Sequence, residues 1–270
     1  MIIGNTHFDI GSRTFIVGIL NLTPDSFSDG GVYNSVGQAV ARARQMVADG
    51  ADIIEIGGES TRPGHVPVET EVELARVLPV LDALMPVITV PISIDTRKAA
   101  VAEIALQTGA ALINDTSRFK DDPALAPICA KYGAVCCAMH SRDNMDYNDL
   151  LSDMIADLNE SVDILQNAGV APDQIILDPG IGFAKNAEHN LEIMQNLFRF
   201  TALPYPIMLG ASRKRFIGHV LDLPVEERLE GTIATSVLGV QHRCAFIRVH
   251  DVRENKRAIM MADAIVRRGG

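Results

Sequence analysis

Short apolar runs recur along the chain, and nearly every one gives way to polar, glycine-rich or charged residues at its carboxyl end. The run Phe15-Ile16-Val17-Gly18-Ile19-Leu20 is almost unbroken hydrophobe, the pattern of a parallel strand buried on both faces. It passes directly into Asn21, Thr23, Pro24, Asp25, Ser26, Ser28, Asp29, Gly30 and Gly31. Asn, Asp, Ser and Thr bind their own backbone, proline fixes φ and paired glycines admit unusual dihedrals, so this is a shaped loop. The same alternation of run and break predicts strands over residues 14–20, 52–56, 91–94, 111–113, 134–139, 174–177, 206–209 and 245–249.

Between the runs the apolar period changes. Val36, Val40, Ala43 and Val47 follow i, i+4, i+7, i+11, as do Leu74, Leu78, Leu81 and Met85, and then Leu151, Ile155, Leu158 and Val162 with Leu165 beyond. Each series predicts a helix that buries one stripe. Gly50, Gly109, Gly133 and Gly169 stand where these helices should stop. Strand–helix units repeated eight times over 270 residues, with no Pro/Ser-rich linker, predict an α/β fold: a (β/α)8 TIM barrel forming a single domain over residues 1–270. A short amino-terminal segment with the pattern of a hairpin precedes it. A doubly wound sheet fits less well, because it gathers its ligand at one switch point, whereas here polar groups close every strand.

Composition narrows the class. With 47% hydrophobic and 21% charged residues the chain reads as an ordinary globular protein. No apolar run approaches the roughly 20 residues that a membrane helix needs. The amino terminus has neither a basic leader nor a long apolar region, so a cytoplasmic location is expected. Cys136 and Cys137 point to opposite faces of one predicted strand, and neither Cys129 nor Cys244 completes a metal-ligand spacing, so all four read as buried small hydrophobes. A net charge of −10 argues against nucleic acid or an anionic membrane as partner. The basic islands Arg213-Lys214-Arg215 and Arg248/His250 suit a small anion instead.

A barrel brings its strand ends to one mouth, so the residues there form a single constellation: Asn21, the segment 57–62, Asp95, Asn114-Asp115, Met139-His140, Asp178, Ser212-Arg213-Lys214 and Arg248-Val249-His250. Asp95, Asp115 and Asp178 each follow an apolar run, where a carboxylate needs a partner. With Asn114 they suit a ligand rim of N–H donors such as a 2-amino-4-oxo heterocycle, Lys214 serving a ring carbonyl or nitrogen. Thr61, Arg62, Arg248 and His250 offer donors and positive charge to a phosphate. Arg248 and His250, two apart on one strand, point to the same side. His65, His140 and His189 read as structural, His140 bordering the site. The carbonyl of Asn21 suits Mg²⁺, which binds through few protein ligands plus phosphate oxygens and water.

These residues fall within longer segments that carry a resemblance. GILNLTPDSFSDGG (18–31) and IGGESTRPG (56–64) closely resemble the two signature segments of the dihydropteroate synthase family, and SIDTRK (93–98), IND (113–115), LDPGIGFAKN (177–186), SRKRFIG (212–218) and RVHDV (248–252) continue the match in order. The resemblance implies a pterin-binding transferase of folate biosynthesis that condenses 6-hydroxymethyl-7,8-dihydropterin diphosphate with para-aminobenzoate, is assisted by Mg²⁺, is a target of sulfonamides and forms a homodimer. By matching positions it implies a pterin pocket of Asp95, Asn114, Asp178 and Lys214, lined by Met139 and Gly210. Diphosphate would lie against Thr61, Arg62, Arg248 and His250, with Asn21 on the metal. Para-aminobenzoate would lie near Phe27, Arg62, Pro63 and Phe183, its carboxylate toward Lys214 and Arg215. Asn21, Arg62, Asp95, Asp178, Lys214, Arg248 and His250 are the implied catalytic set, and residues 23–31 an implied cover. Two positions depart from some family members: Arg215, where Ser occurs, and Ser141-Arg142-Asp143, where Met-Gln-Gly follows the His. The competing expectations are a methyltetrahydrofolate–corrinoid methyltransferase and a non-catalytic pterin-binding paralogue.

Overall fold

The computed structural model describes residues 1–22, 31–59 and 66–267, with the backbone alone at 31–35. Phe27, Thr61, Arg62, Pro63 and His65, and most of the expected cover, lie outside the described residues. Two short strands, β1 (Ile2–Ile3) and β2 (Thr6–His7), pair antiparallel as the expected hairpin. The eight-stranded sheet follows: β3 (Phe15–Asn21), β4 (Ile53–Gly57), β5 (Ile92–Asp95), β6 (Leu112–Asp115), β7 (Val135–Met139), β8 (Ile175–Asp178), β9 (Met208–Leu209) and β10 (Phe246–Val249). Every neighbouring pair is parallel, β10 returns to β3, and a bridge between Leu177 and Ile207 brings β8 to β9 and closes the ring. The barrel is the expected one.

Around it run α1 (Gly31–Ala48), α2 (Thr70–Leu84), α3 (Ala99–Thr108), α4 (Leu125–Tyr132), α5 (Leu150–Asn167), α6 (Ala187–Gln195), α7 (Leu197–Thr201), α8 (Arg215–Leu221), α9 (Leu229–Gln241) and α10 (Val252–Val266). Gly133 ends α4 with φ 63°, a left-handed turn that glycine adopts without a Cβ penalty. Among the described residues no helix is long and apolar enough to cross a membrane.

Alternation along the strands sorts the core into two layers. Ile16, Leu20, Ile54, Ile56, Ile113, Cys136, Leu177 and Ile247 join the layer between sheet and helices. Val17, Ile53, Leu112, Val135, Cys137, Ile176, Met208 and Phe246 fill the inside of the barrel at its amino-terminal end with Ile3 and Phe8. The hairpin thus plugs that end: the Phe8 ring stands edge-on to Phe15 at 4.9 Å and lies 5.9 Å from Phe246. The adjacent cysteines do point to opposite layers, and all four cysteines are free and buried. With one end closed by carbon, only the carboxyl ends of the strands are left to hold chemistry.

The observed strands run about one residue later than the apolar runs predict, and Asn21, Asp95, Asp115 and Asp178 are their last residues. A polar side chain does not interrupt a backbone ladder, so the sheet carries these groups itself.

Candidate active site

Two-residue alternation from the inner apolar layer leads, strand by strand, to the polar groups at the mouth. Ile53 is followed by Glu55, Leu112 by Asn114, Cys137 by Met139, Ile176 by Asp178, Met208 by Gly210, and Phe246 by Arg248 and then His250. Arg248 confirms this inward direction. From β10 it reaches past β3 to β4 and β5, donating through Nε to Glu55 Oε1 and through Nη2 to Asp95 Oδ2 at 3.0 Å. Glu55, only 1% exposed, also accepts from Ser93 Oγ at 3.4 Å.

Two acceptors at this point are buried with no partner, Asp95 Oδ1 and Asn114 Oδ1. Buried polar atoms are nearly always hydrogen-bonded, so these two oxygens are acceptors open to donors from water or a ligand. Burial and the nearby Glu55 carboxylate push the Asp95 carboxyl up to about 7 against the pull of Arg248. Asp178 is pushed to about 6 by burial, although its Oδ1 accepts from the Gly180 N–H at 2.7 Å and Arg248 and Lys214 favour its ionised form. A Cβ on Gly210 would lie 3.3 Å from Asp178 Oδ2 and 3.6 Å from Arg248 Cδ, so glycine there leaves both groups uncrowded. Met139 is buried beside them at the end of β7.

The rim is basic. Lys214 immediately precedes α8, its Nζ 4.3 Å from the centre of the Phe183 ring, and Arg215 is exposed at the first position of that helix. Arg213 is committed elsewhere, to both oxygens of Asp251 at 2.8 and 2.7 Å. His250 Nδ1 lies 3.0 Å from Ser212 Oγ, and burial with the adjacent Arg248 lowers its pKa to about 4. It is therefore neutral at pH 7, a hydrogen-bonding group and not the positive charge that its place beside Arg248 suggests.

One expectation is corrected. Asp115 does not face the mouth: one residue beyond Asn114, it points to the outer layer, where its carboxylate accepts from Ser117 Oγ at 2.8 Å and from the backbone N–H groups of Ser117 and Phe119. It is a loop cap. His140 borders the site through its backbone, whose N–H donates to Asp178 O at 2.8 Å, while its side chain is fully buried between Lys185 and Asp157. Sequence reasoning also passed over Glu55 and Lys185. The signal for Glu55 is a lone acid inside the run IIEIG, which demands a buried cation.

The donor set suits Mg²⁺ in a limited way. Among the described residues no cluster of His, Cys, Asp or Glu can hold a metal ion by itself. Asn21 ends β3 with its Oδ1 3.7 Å from where a Cβ on Gly57 would stand, a hard carbonyl oxygen at the rim. One such ligand fits an ion held mainly by phosphate oxygens and water.

A recess of about 480 Å³ lined by Met1, Ile10, Tyr205 and Arg243 lies beside the hairpin, at the end away from these groups, and shares no residue with them.

The pterin binding enzyme family matches residues 17–250. The chain is 55% identical over 269 residues to dihydropteroate synthase of Clostridium beijerinckii, covering 99% of this chain and 100% of that protein. It is 52% identical to that of Bacillus subtilis, covering 96% and 90%. Its backbone matches a Clostridium difficile dihydropteroate synthase crystallised in the presence of pteroic acid with a TM-score of 0.95 at 48% identity, over 97% of this chain and 100% of that one. A Yersinia pestis dihydropteroate synthase in complex with a sulfonamide drug matches with a TM-score of 0.92 at 38% identity, over 98% of both chains.

Proposed function

This chain belongs to the dihydropteroate synthase family of pterin-binding enzymes, and we propose that its mouth joins 6-hydroxymethyl-7,8-dihydropterin diphosphate to para-aminobenzoate, with dihydropteroate and diphosphate as products. The observation that carries the assignment of roles is the pair of buried, unpartnered acceptors, Asp95 Oδ1 and Asn114 Oδ1. A 2-amino-4-oxo ring has N–H donors to offer them, Asp178 Oδ2 receives further donors, and Met139 and Gly210 shape the pocket. Lys214 serves the ring oxygen or nitrogen from the rim. Arg248, His250, Thr61 and Arg62 receive the diphosphate. Phe183, with Phe27, Arg62 and Pro63, flanks the arylamine, and Lys214 and Arg215 meet its carboxylate. Sulfonamides compete there.

The aniline nitrogen is neutral at pH 7 and already nucleophilic, so no strong base is required. The bond from the pterin methylene carbon to oxygen breaks with its electron pair leaving on diphosphate. The amine nitrogen then bonds to that carbon and loses a proton to water. Arg248 stabilises the growing negative charge, His250 donates a hydrogen bond, and the ionised Asp95 and Asp178 face the complementary positive charge on the dihydropterin. Mg²⁺, held by Asn21 and the ligand, would supply Lewis-acid stabilisation of the leaving group. These groups favour a dissociative displacement.

Product formation from the two substrates, with Mg²⁺ and with EDTA, tests this reading. Dihydropteroate that appears only with the metal supports it. Tight pterin binding without turnover would instead make the chain a non-catalytic paralogue. For the assembly we propose a homodimer through the face where Leu238 of α9 and Met260, Met261 and Ile265 of α10 are exposed. Met261→Glu should then give a monomer in sedimentation.

A further inference from the structure

The turn after β8 carries Asp178 at its start and Phe183 near its tip, but residues 179–186 contain no helix or strand. Its backbone takes positive φ at Gly180, Gly182 and Ala184. What holds it is Lys185, 8% exposed, whose side chain turns back beneath it. Nζ donates to Gly180 O at 3.0 Å, to Phe183 O at 2.8 Å and to His140 Nδ1 at 2.9 Å. An ammonium has three N–H donors, and each is used. Accepting at Nδ1 leaves the ring proton of His140 on Nε2, which donates to Asp157 Oδ2 at 2.9 Å. Asp157 is fixed in turn by Arg142 Nε at 2.6 Å and Arg118 Nη2 at 3.0 Å.

The reaction described above uses none of Lys185, His140 or Asp157. A buried cation with all its donors spent on two carbonyls of one turn acts on that turn. We infer that Lys185 is a positioning residue for the arylamine side of the site, its ammonium setting the Gly180 and Phe183 carbonyls and through them the Phe183 ring and the Asp178 carboxylate, while His140 and Asp157 hold the ammonium; the inference rests on the synthase reading. Tyr147 supports the same turn from the preceding loop, donating to Ala184 O at 3.0 Å. The charge matters as well as the geometry. Lys185 faces Asp178, Lys214, Asp157 and Arg142; burial lowers its pKa to about 7, and below that pH its ammonium favours the ionised form of Asp178.

Two variants separate these contributions. Lys185→Met keeps length and removes the charge. It should raise the KM for para-aminobenzoate about tenfold while changing kcat less than about threefold, and shift the acid limb of pterin diphosphate affinity to higher pH in calorimetry. Lys185→Arg keeps the charge, but a planar fork does not reach three acceptors, so KM should rise while the acid limb stays in place. If Lys185→Met does not fold, Lys185→Arg carries the test. Wild-type enzyme that makes no product overturns the synthase reading. Wild-type turnover, with KM and pH profile unmoved in the folded variants, overturns this inference alone, even where the melting temperature falls.

Discussion

Asp178→Asn is the sharpest test of the pterin pocket, because the structure fixes which oxygen does what. Oδ1 is occupied by the Gly180 N–H at 2.7 Å, and Oδ2 lies toward Gly210. An asparagine has one acceptor oxygen to give. If it keeps the Gly180 bond, its NH₂ meets the N–H groups of the pterin; if it flips, its NH₂ meets the Gly180 N–H. Either way a donor faces a donor, at about 1–3 kcal/mol, and exchanging a charged acceptor for a neutral one costs about 1 kcal/mol more. The sum, about 2–4 kcal/mol, weakens pterin binding roughly 30- to 700-fold at about 1.4 kcal/mol per tenfold. Burial raises the Asp178 pKa from 3.8 to about 6 in the ligand-free enzyme. A raised carboxyl pKa favours folding at low pH, and that contribution is lost as pH rises through about 6. Wild type should therefore lose more melting temperature than the variant between about pH 5 and about pH 8. Wild-type pterin affinity should show an acid limb near pH 6 from Asp178, which the variant should lack. Calorimetry of the pterin substrate across this range reads both effects. A dissociation constant within about threefold of wild type would show that Asp178 does not face the pterin donors.

Other substitutions separate the mouth from its scaffold. Glu55→Gln leaves Arg248 with Asp95 as its charged partner and should lower kcat/KM about three- to tenfold, since a hydrogen bond to a charged group is worth about 1.5–3 kcal/mol and a neutral one about half that; steady-state kinetics within twofold of wild type would deny Glu55 that role. Phe8→Ala, at the plugged end, should cost about 3–5 kcal/mol and, at about 2–4 °C per kcal/mol, roughly 6–20 °C of melting temperature while both KM values stay put. Gly180→Ala places a Cβ 1.9 Å from His140 O on a residue with φ 66°, so both melting temperature and pterin affinity should fall; a variant as tight-binding as wild type would mean that the turn can be rebuilt.

The barrel was legible because a parallel strand buried on both faces leaves an unmistakable apolar run, and because the helical stripes recur at fixed spacing. The mouth was legible at Asp95, Asn114 and Asp178, where a polar residue ends or follows such a run, and at Arg248, a lone base within one. Runs do not show direction. Asn114 and Asp115 are adjacent and equally polar, yet alternation sends one inward to the mouth and the other outward to cap a loop, and only knowing which neighbour lines the barrel decides between them. Asp115 was misplaced for that reason. Lys185 escaped because its partners are backbone carbonyls and a histidine from another turn, none of which leaves a spacing in the chain. His250 was legible as a residue of the mouth but not in its charge, since the burial that lowers its pKa is a property of the fold.

On the proposed roles, charge should also set the order of binding. The mouth opposes Glu55, Asp95 and Asp178 with Arg248, Lys214 and Lys185, and burial leaves Asp95 at about 7 and Asp178 at about 6, both close to neutral pH. A site poised in this way is tipped by its first ligand. Pterin N–H groups favour the ionised carboxylates, so binding near neutral pH releases protons, and diphosphate brings negative charge to the rim where Lys214 and Arg215 stand. Para-aminobenzoate brings a single carboxylate to that rim and offers Asp95 and Asp178 no pterin N–H groups. In the proposed arrangement its ring has one wall among the described residues, Phe183, and the pterin diphosphate supplies the electrophile and much of the opposite surface. The amine should therefore bind measurably only after pterin diphosphate or diphosphate itself. Titration of para-aminobenzoate into ligand-free enzyme, and into enzyme saturated with diphosphate, distinguishes the cases. Equal affinity in the two would refute the ordered scheme, and proton release independent of pH in the pterin titration would remove its electrostatic cause.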